Sequence, residues 1–403
     1  MTTDAWTNKA LQSFLSLTVH FINDKMEMLS FVPFVQYMDG DRHTGENLLL
    51  RIERFLAKLG LDKEEIVKYI SMDNASNNKK CVRINHNMFV AYWCGNHTLA
   101  LSVSDFFKYA VKYSQNVVIL EILKKCQAIA VHVRKSEQHK VQLQDACKAT
   151  GVQFHLPILA NKTRWNSRYD NVDSNLKLKK ALLHLSNNDT SSKQNWRNGV
   201  LSPVEFEAAE GINRALEPIK KATKLWESEN SPTLHLVVRE LFNIRGNLKR
   251  LQKDGNEAVK EFAKGLQKCV DKRFKNCGTK NIYNCMGNFL DPRYQGCILE
   301  QFPGRYDAAK KEIVKLCSKY DTTENNAAEH SAADADMSDD DDDLSEADRL
   351  RKRRRLSGDR AAAPDVPEPI LSRAQREILD YEQMKVSLII HSLNISFNIN
   401  VVF

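Results

Sequence analysis

Ile66-Val67-Lys68-Tyr69-Ile70-Ser71-Met72-Asp73 reads as a short buried strand that ends on a carboxylate. The segments around it supply the rest of a sheet. Just upstream, Leu48, Ile52, Phe55, Leu56 and Leu59 recur at helical spacing, and Gly60 supplies a stop. Further upstream lie two apolar runs, Leu11 to Phe21 and Met26 to Phe34. The polar Asn23-Asp24-Lys25 between them makes a hairpin turn. Asp4 is expected at the end of a first strand of which only the last residues are present. Two hairpin strands, a helix and a further strand predict an α/β chain: a mixed sheet with helices packed on it.

Downstream the period changes. From about Leu99 to Ala149 the pattern is helical, and a loop with Gly151 and Pro157 follows. Ser202-Pro203-Val204-Glu205 is a capping box with proline at the first helical position. Val237, Leu241, Ile244, Leu248 and Leu251 form a stripe at alternating spacings of four and three, and Val259, Phe262, Leu266 and Val270 make another. These stripes predict an all-α region whose apolar faces pack in a bundle. After Tyr320 the composition turns to Asn, Ala, Ser and acid, including the run Asp339 to Asp343. Such a segment cannot bury apolar surface and is expected to be disordered. Arg349-Leu350-Arg351-Lys352-Arg353-Arg354-Arg355 follows at once and reads as a nuclear localisation signal, against the alternative of a polyampholyte with no address.

Composition bounds the function. The chain has 403 residues, 42% hydrophobic and 27% charged, ordinary values for a soluble protein with two domains. The nine cysteines are scattered with no Cys-x-x-Cys pair, which predicts reduced thiols rather than a disulfide framework. No signal peptide is expected from the first residues. Val386 to Phe403 is apolar but broken by His391, Asn394, Asn398 and Asn400, so no membrane span is expected. Net charge is +8, yet residues 1–320 hold 49 basic and 33 acidic side chains, a surplus of 16. A body this basic favours polyanions, of which nucleic acid is the commonest.

Six short motifs then decide the family. In order they are Thr3-Asp4-Ala5-Trp6-Thr7-Asn8, His43-Thr44-Gly45-Glu46-Asn47, Met72-Asp73-Asn74-Ala75-Ser76-Asn77, Cys94-Gly95-Asn96-His97-Thr98-Leu99, Thr163-Arg164-Trp165-Asn166-Ser167-Arg168-Tyr169 and Leu290-Asp291-Pro292-Arg293-Tyr294. Each alone occurs by chance, but together, over roughly residues 1–300, they resemble the hAT superfamily of DNA transposases, the group of Activator and hobo elements. The resemblance implies an RNase H-like mixed sheet interrupted by an all-α insertion. It also implies that Asp4 and Asp73 are catalytic carboxylates at one sheet end, holding Mg²⁺ or Mn²⁺ through hard oxygen ligands. Without it, both aspartates are most simply a turn and a helix cap. The resemblance further suggests that Trp6 and Trp165 stack on unpaired or flipped bases, with Arg164 on phosphate; core packing is the competing role for either tryptophan. Cys94 and His97 tempt toward zinc, but Cys81 and His86 lie at irregular spacings, so Cys94 and His97 are expected to fix the loop entering a helix.

The match also has gaps. The family's third carboxylate, a glutamate beyond the insertion in a Ser-Glu-Arg context, is not found; Glu377 and Glu382 lack its surroundings. Its C-terminal dimerisation segment is unrecognisable, so self-association is left open. No BED-type zinc finger precedes the sheet. Together these suggest a truncated or domesticated gene, or a gene model cut at wrong boundaries. The expected layout is an RNase H-like core at 1–175, a helical insertion at 176–320, an acidic-then-basic linker at 321–372 and a remnant segment at 373–403. The leading expectation is a nuclear, transposase-derived DNA-binding protein with an incomplete metal site. The alternatives are an active transposase or nuclease and a nuclear protein-interaction scaffold.

Overall fold

In the computed structural model the first strands pair as the hairpin pattern predicts. β1 (Thr2–Thr7), β2 (Ser13–Ile22) and β3 (Met28–Tyr37) run antiparallel. β4 (Tyr69–Met72) and β5 (Val90–Trp93) then add parallel to β1, giving one sheet in the order β3-β2-β1-β4-β5. The structure describes residues 1–332 apart from 24, 26, 39–41, 63–68, 113–115, 162–164, 191–194, 229–230, 276–280, 295–298, 300–301 and 303. The run Asp339 to Asp343, the basic cluster, Glu377, Glu382 and the segment 373–403 lie outside the described residues.

β1 corrects one expectation. Asp4 stands within the strand rather than at its end, and all six residues pair with Ser13–Thr18 of β2. The bridge to β4 is confined to Thr2↔Ser71, so β1 has left β4 by Asp4 while the hairpin partner carries it on to Thr7.

One face of the sheet is closed by α1 (Gly45–Lys58) and α2 (Ser76–Ile84). Leu15, Leu17 and Val19 of β2 and Ile70 and Met72 of β4 meet Leu48, Ile52, Phe55 and Leu56 of α1 there, all buried. Phe34 of β3 stacks on Phe55 with ring centres 4.5 Å apart. Each such side chain contributes about 1.5–3 kcal/mol by leaving water. On the other face, α12 (Ile282–Leu290) packs on β4 and β5: the rings of Tyr69 and Tyr283 meet edge-on at 5.3 Å, and Tyr92 Oη donates to Asn284 Oδ1. Over β1–β3 that same face carries the exposed Trp6, Val35 and Tyr37.

The second core is helical. It draws on α3 (Gly95–Lys112), α4 (Val117–Lys135), α5 (Glu137–Thr150), α6 (Asn166–Lys177), α7 (Lys179–Asn187), α8 (Asn195–Gly199), α9 (Pro203–Trp226), α10 (Leu236–Leu251) and α11 (Glu257–Arg273). Both stripes predicted from periodicity point inward, and every member is buried. α9 begins as its sequence dictates: Ser202 Oγ accepts from Glu205 N at 3.3 Å, and Glu205 Oε2 accepts from Ser202 N at 2.8 Å. This core starts at Leu99, whereas the sheet core ends at Phe89. The division expected at 175 thus falls inside the helical core, between Val172 and Leu178.

The chain divides into a unit of Met1–Tyr306 and a second from Asp307, with α13 (Arg305–Ala332) at the division. Residues 321–332, expected to be without structure, continue as helix; Ala327, Ala328 and Glu329 are good helix formers. Among the described residues no helix is long and apolar enough to cross a membrane, and Cys81, Cys94, Cys126, Cys147 and Cys269 are free thiols.

Candidate functional site

The parallel ladder brings the strands that carry the first and third motifs together. Ser71 N donates to Met1 O at 2.9 Å, and the Met1 ammonium donates to Tyr69 O at 2.8 Å. Thr2 pairs with Ser71, and Asp4 and Asp73 each lie two residues further toward the same end of the sheet, past the last β1–β4 bridge. Side chains alternate across a strand, and Ile70 and Met72 face the buried side. Asp4 and Asp73 therefore belong to the opposite face, the one α12 leaves open over β1–β3. Asp4 is exposed and has no side-chain hydrogen bond or ion pair among the described residues.

Asp73 is held by the turn it starts. Its Oδ1 accepts from Ala75 N at 2.9 Å and from Asn78 Nδ2 at 2.7 Å. This Asx-type turn leads the chain from β4 into α2, so the capping role does occupy one carboxylate oxygen. The second oxygen has no such partner among the described residues. The His43-Thr44-Gly45-Glu46-Asn47 motif braces the same turn from behind. Thr44 Oγ1 caps α1 by accepting from Asn47 N at 3.3 Å, and Glu46 pairs with Lys80 of α2. A Cβ on Gly45 would stand 2.7 Å from Cys81 N, so only glycine lets α1 approach α2 this closely.

Cys94 is the third member of the edge. Met72 pairs with Trp93, and Cys94 N donates to Met72 O at 2.8 Å, which sets Cys94 level with Asp73 on the next strand. Burial raises its thiol pKa, the N–H groups of His97 and Asn96 oppose that shift, and the charges of Asp73 and Asp4 add to it. The thiol thus senses both carboxylates. Sγ accepts from His97 N at 3.5 Å, and Cys94 O accepts from Thr98 N and Thr98 Oγ1, so this loop opens α3. Among the described residues no three His, Cys, Asp or Glu side chains are grouped to hold a metal. Asp4 and Asp73 each offer carboxylate oxygens, the donor type that hard divalent cations take.

Trp6 is 39% exposed on the face of Asp4. It stacks across the strands on Phe14, with ring centres 5.6 Å apart and planes at 20°, and Phe14 meets Tyr37 at 5.7 Å. Phe14 and Tyr37 escaped the sequence reading because only strand register aligns them with Trp6. Trp165 lies elsewhere: it is 9% exposed and belongs to the helical core. Arg164 lies outside the described residues. The rest of its motif docks α6, with Arg168 over the Phe107 ring at 4.4 Å and Lys220 over the Tyr169 ring at 4.6 Å. Leu290-Asp291-Pro292-Arg293-Tyr294 is likewise a structural knot. The buried Asp291 accepts from Arg293 Nε at 3.0 Å and Nη2 at 2.9 Å, and Arg293 Nη2 also reaches His235 Nε2 at 2.7 Å.

Comparison with known proteins agrees with this layout. Residues 93–215 match the ZBED1 RNase-like helical domain, a span that starts at the end of β5, close to where the helical core begins. The chain is 23% identical over 326 residues to a putative AC transposase of Zea mays, covering 76% of this chain and 37% of that protein. It is 21% identical over 345 residues to a putative AC9 transposase of Zea mays, covering 76% of this chain and 39% of that protein. The chain thus spans less than two fifths of the length of either relative. Its motifs, the matched helical domain and these relatives agree in supporting a relation to hAT-family transposases.

Proposed function

We propose that this protein binds DNA at the open end of an RNase H-like sheet and acts there as a transposase-derived binding protein. The observation that supports this reading is the parallel pairing of β1 with β4 at Thr2 and Ser71, which leaves Asp4 and Asp73 toward the same end of the sheet, with Trp6 exposed on the face of Asp4. Asp4 and Asp73 would hold Mg²⁺ or Mn²⁺, which neutralises phosphate charge and activates a bound oxygen. The exposed face of Trp6 offers a stacking surface for an unpaired base, backed by Phe14 and Tyr37. Asn78 and the amide of Ala75 fix the Asp73 carboxylate in place. The surplus of positive charge in residues 1–320 attracts the phosphate backbone. The basic cluster from Arg349 directs the protein to the nucleus.

Electrophoretic titration of a duplex with an unpaired end, at several salt concentrations, tests the binding. The logarithm of the affinity should fall linearly with log salt, by about 0.9 per neutralised phosphate. Affinity that ignores salt, or no binding at low salt, overturns the reading. A second reading, an active nuclease or transposase, draws on the same carboxylate pair but needs a third carboxylate. Mn²⁺-dependent nicking that disappears in Asp73→Asn would establish it.

A further inference from the structure

The turn from β5 into α3 is gripped from two directions. On the sheet side, Cys94 N is bonded to Met72 O. On the helical side it meets the last turn of α9. Asn96 Nδ2 donates to Thr223 O at 3.2 Å. A Cβ on Gly95 would stand 3.1 Å from Cε3 of Trp226, so the bare glycine backbone lies against the indole. Trp226 meets the ring of Phe274 at 6.2 Å, and Phe274, just past α11, is buried in the helical core. A line of packed groups therefore runs from that core through Trp226 and Gly95 to Cys94, whose amide is bonded to the carbonyl of Met72, the residue before Asp73.

The polar atoms at this contact reinforce the point. Asn96 Oδ1 and Trp226 Nε1 are buried without a hydrogen-bond partner among the described residues. Native structures contain few such groups. Two at one contact mean that packing, rather than polar satisfaction, decides the geometry there.

We propose that Trp226 is a positioning residue which, together with the main-chain carbonyl of Thr223, lets the helical region set the Cys94–His97 turn against the carboxylate edge. Its consequence for metal binding rests on the function proposed above; the mechanical link does not. Packed interiors transmit displacement because they hold little free volume. Loss of the indole would release Gly95 and with it Cys94.

The experiment uses full-length protein and reads two signals. The first is alkylation of individual cysteines by iodoacetamide, resolved by peptide mass spectrometry; the second is Mn²⁺ affinity measured by water-proton relaxation. Trp226→Ala should speed alkylation of Cys94 about tenfold as the thiol becomes accessible. Cys126 and Cys147, buried in the helical core, should stay slow. Mn²⁺ affinity should fall about tenfold, the size of effect seen when a support behind a ligand is removed. Trp226→Phe keeps a flat ring on Gly95 and should stay within about twofold of the parent. If Trp226→Ala fails to fold, Asn96→Ala, which deletes only the bond to Thr223, should shift Cys94 in the same direction by a smaller factor. An unchanged Cys94 rate in a folded variant, or an equal rise at Cys126, overturns the proposal. A parent that binds no Mn²⁺ overturns the metal-site reading instead, and the Cys94 rates then decide the positioning role alone.

Discussion

The sheet and the helical core are built from similar apolar side chains but are finished differently. In the helical core, α10 and α11 turn every member of their stripes inward, and rings such as Phe106 and Phe262 meet edge-on at 4.9 Å in a closed interior. The sheet is closed on one face by α1 and α2, whereas the other is covered only over β4 and β5 and is open over β1–β3. The open part carries Asp4, Trp6, Val35 and Tyr37. The difference is instructive: the helices close a core on all sides, whereas the sheet leaves a carboxylate and an aromatic cluster exposed on one face. Buried α-helices satisfy their own backbone groups and so can be packed on all sides. A sheet edge with charged side chains cannot be closed without stranding those charges.

Four measurements would break or sharpen this contrast. The largest effect is expected from Phe262→Ala in the closed core, which should cost about 3–5 kcal/mol of stability in urea denaturation, the usual loss for a fully buried phenylalanine. A loss below about 1 kcal/mol would mean that the core is loosely packed. Next, Trp6→Ala on the open face should change stability by no more than about 0.5 kcal/mol. It should nevertheless weaken binding of an unpaired DNA end by about 1–3 kcal/mol. The reverse pattern would make Trp6 a packing residue and erase the contrast.

Smaller still, Ser202→Ala removes the cap of α9 and should cost about 1 kcal/mol, read as a shift in thermal midpoint. The smallest effect concerns the stacked rings of His132 and His139, 3.7 Å apart. Burial, then the neighbouring His139 and Lys135, lowers the pKa of His132, with Asp189 opposing. A folded value below the unfolded 6.5 means that the unfolded chain binds more protons, so stability should fall as pH drops below about 6.5. His132→Gln should flatten that part of the stability profile, and an unchanged slope would assign the acid sensitivity to other groups.

Much of this was legible in the chain. The stripe from Val237 to Leu251 announces its buried face because a helix repeats every 3.6 residues, and Ser202 to Glu205 announces a helix start because the bonds are local. The hairpin of β2 and β3 was readable for the same reason. Asp73 could be placed at a strand end by the apolar run before it. Less accessible was the partnership of Trp6 with Phe14 and Tyr37, which depends on register between strands. Trp165 shows the limit most clearly: flanked by polar residues in the sequence, it is buried by helices that the local pattern does not name.

Local pattern alone located most helices and strands, the apolar faces of α10 and α11, and the strand end before Asp73. All of these follow from interactions within a few residues. Tertiary structure was needed to set Cys94 beside Asp73, to lay Gly95 against Trp226, and to leave Trp6 exposed while Trp165 is covered. Those outcomes depend on strand register and on packing between residues remote in the chain, and no local propensity encodes either.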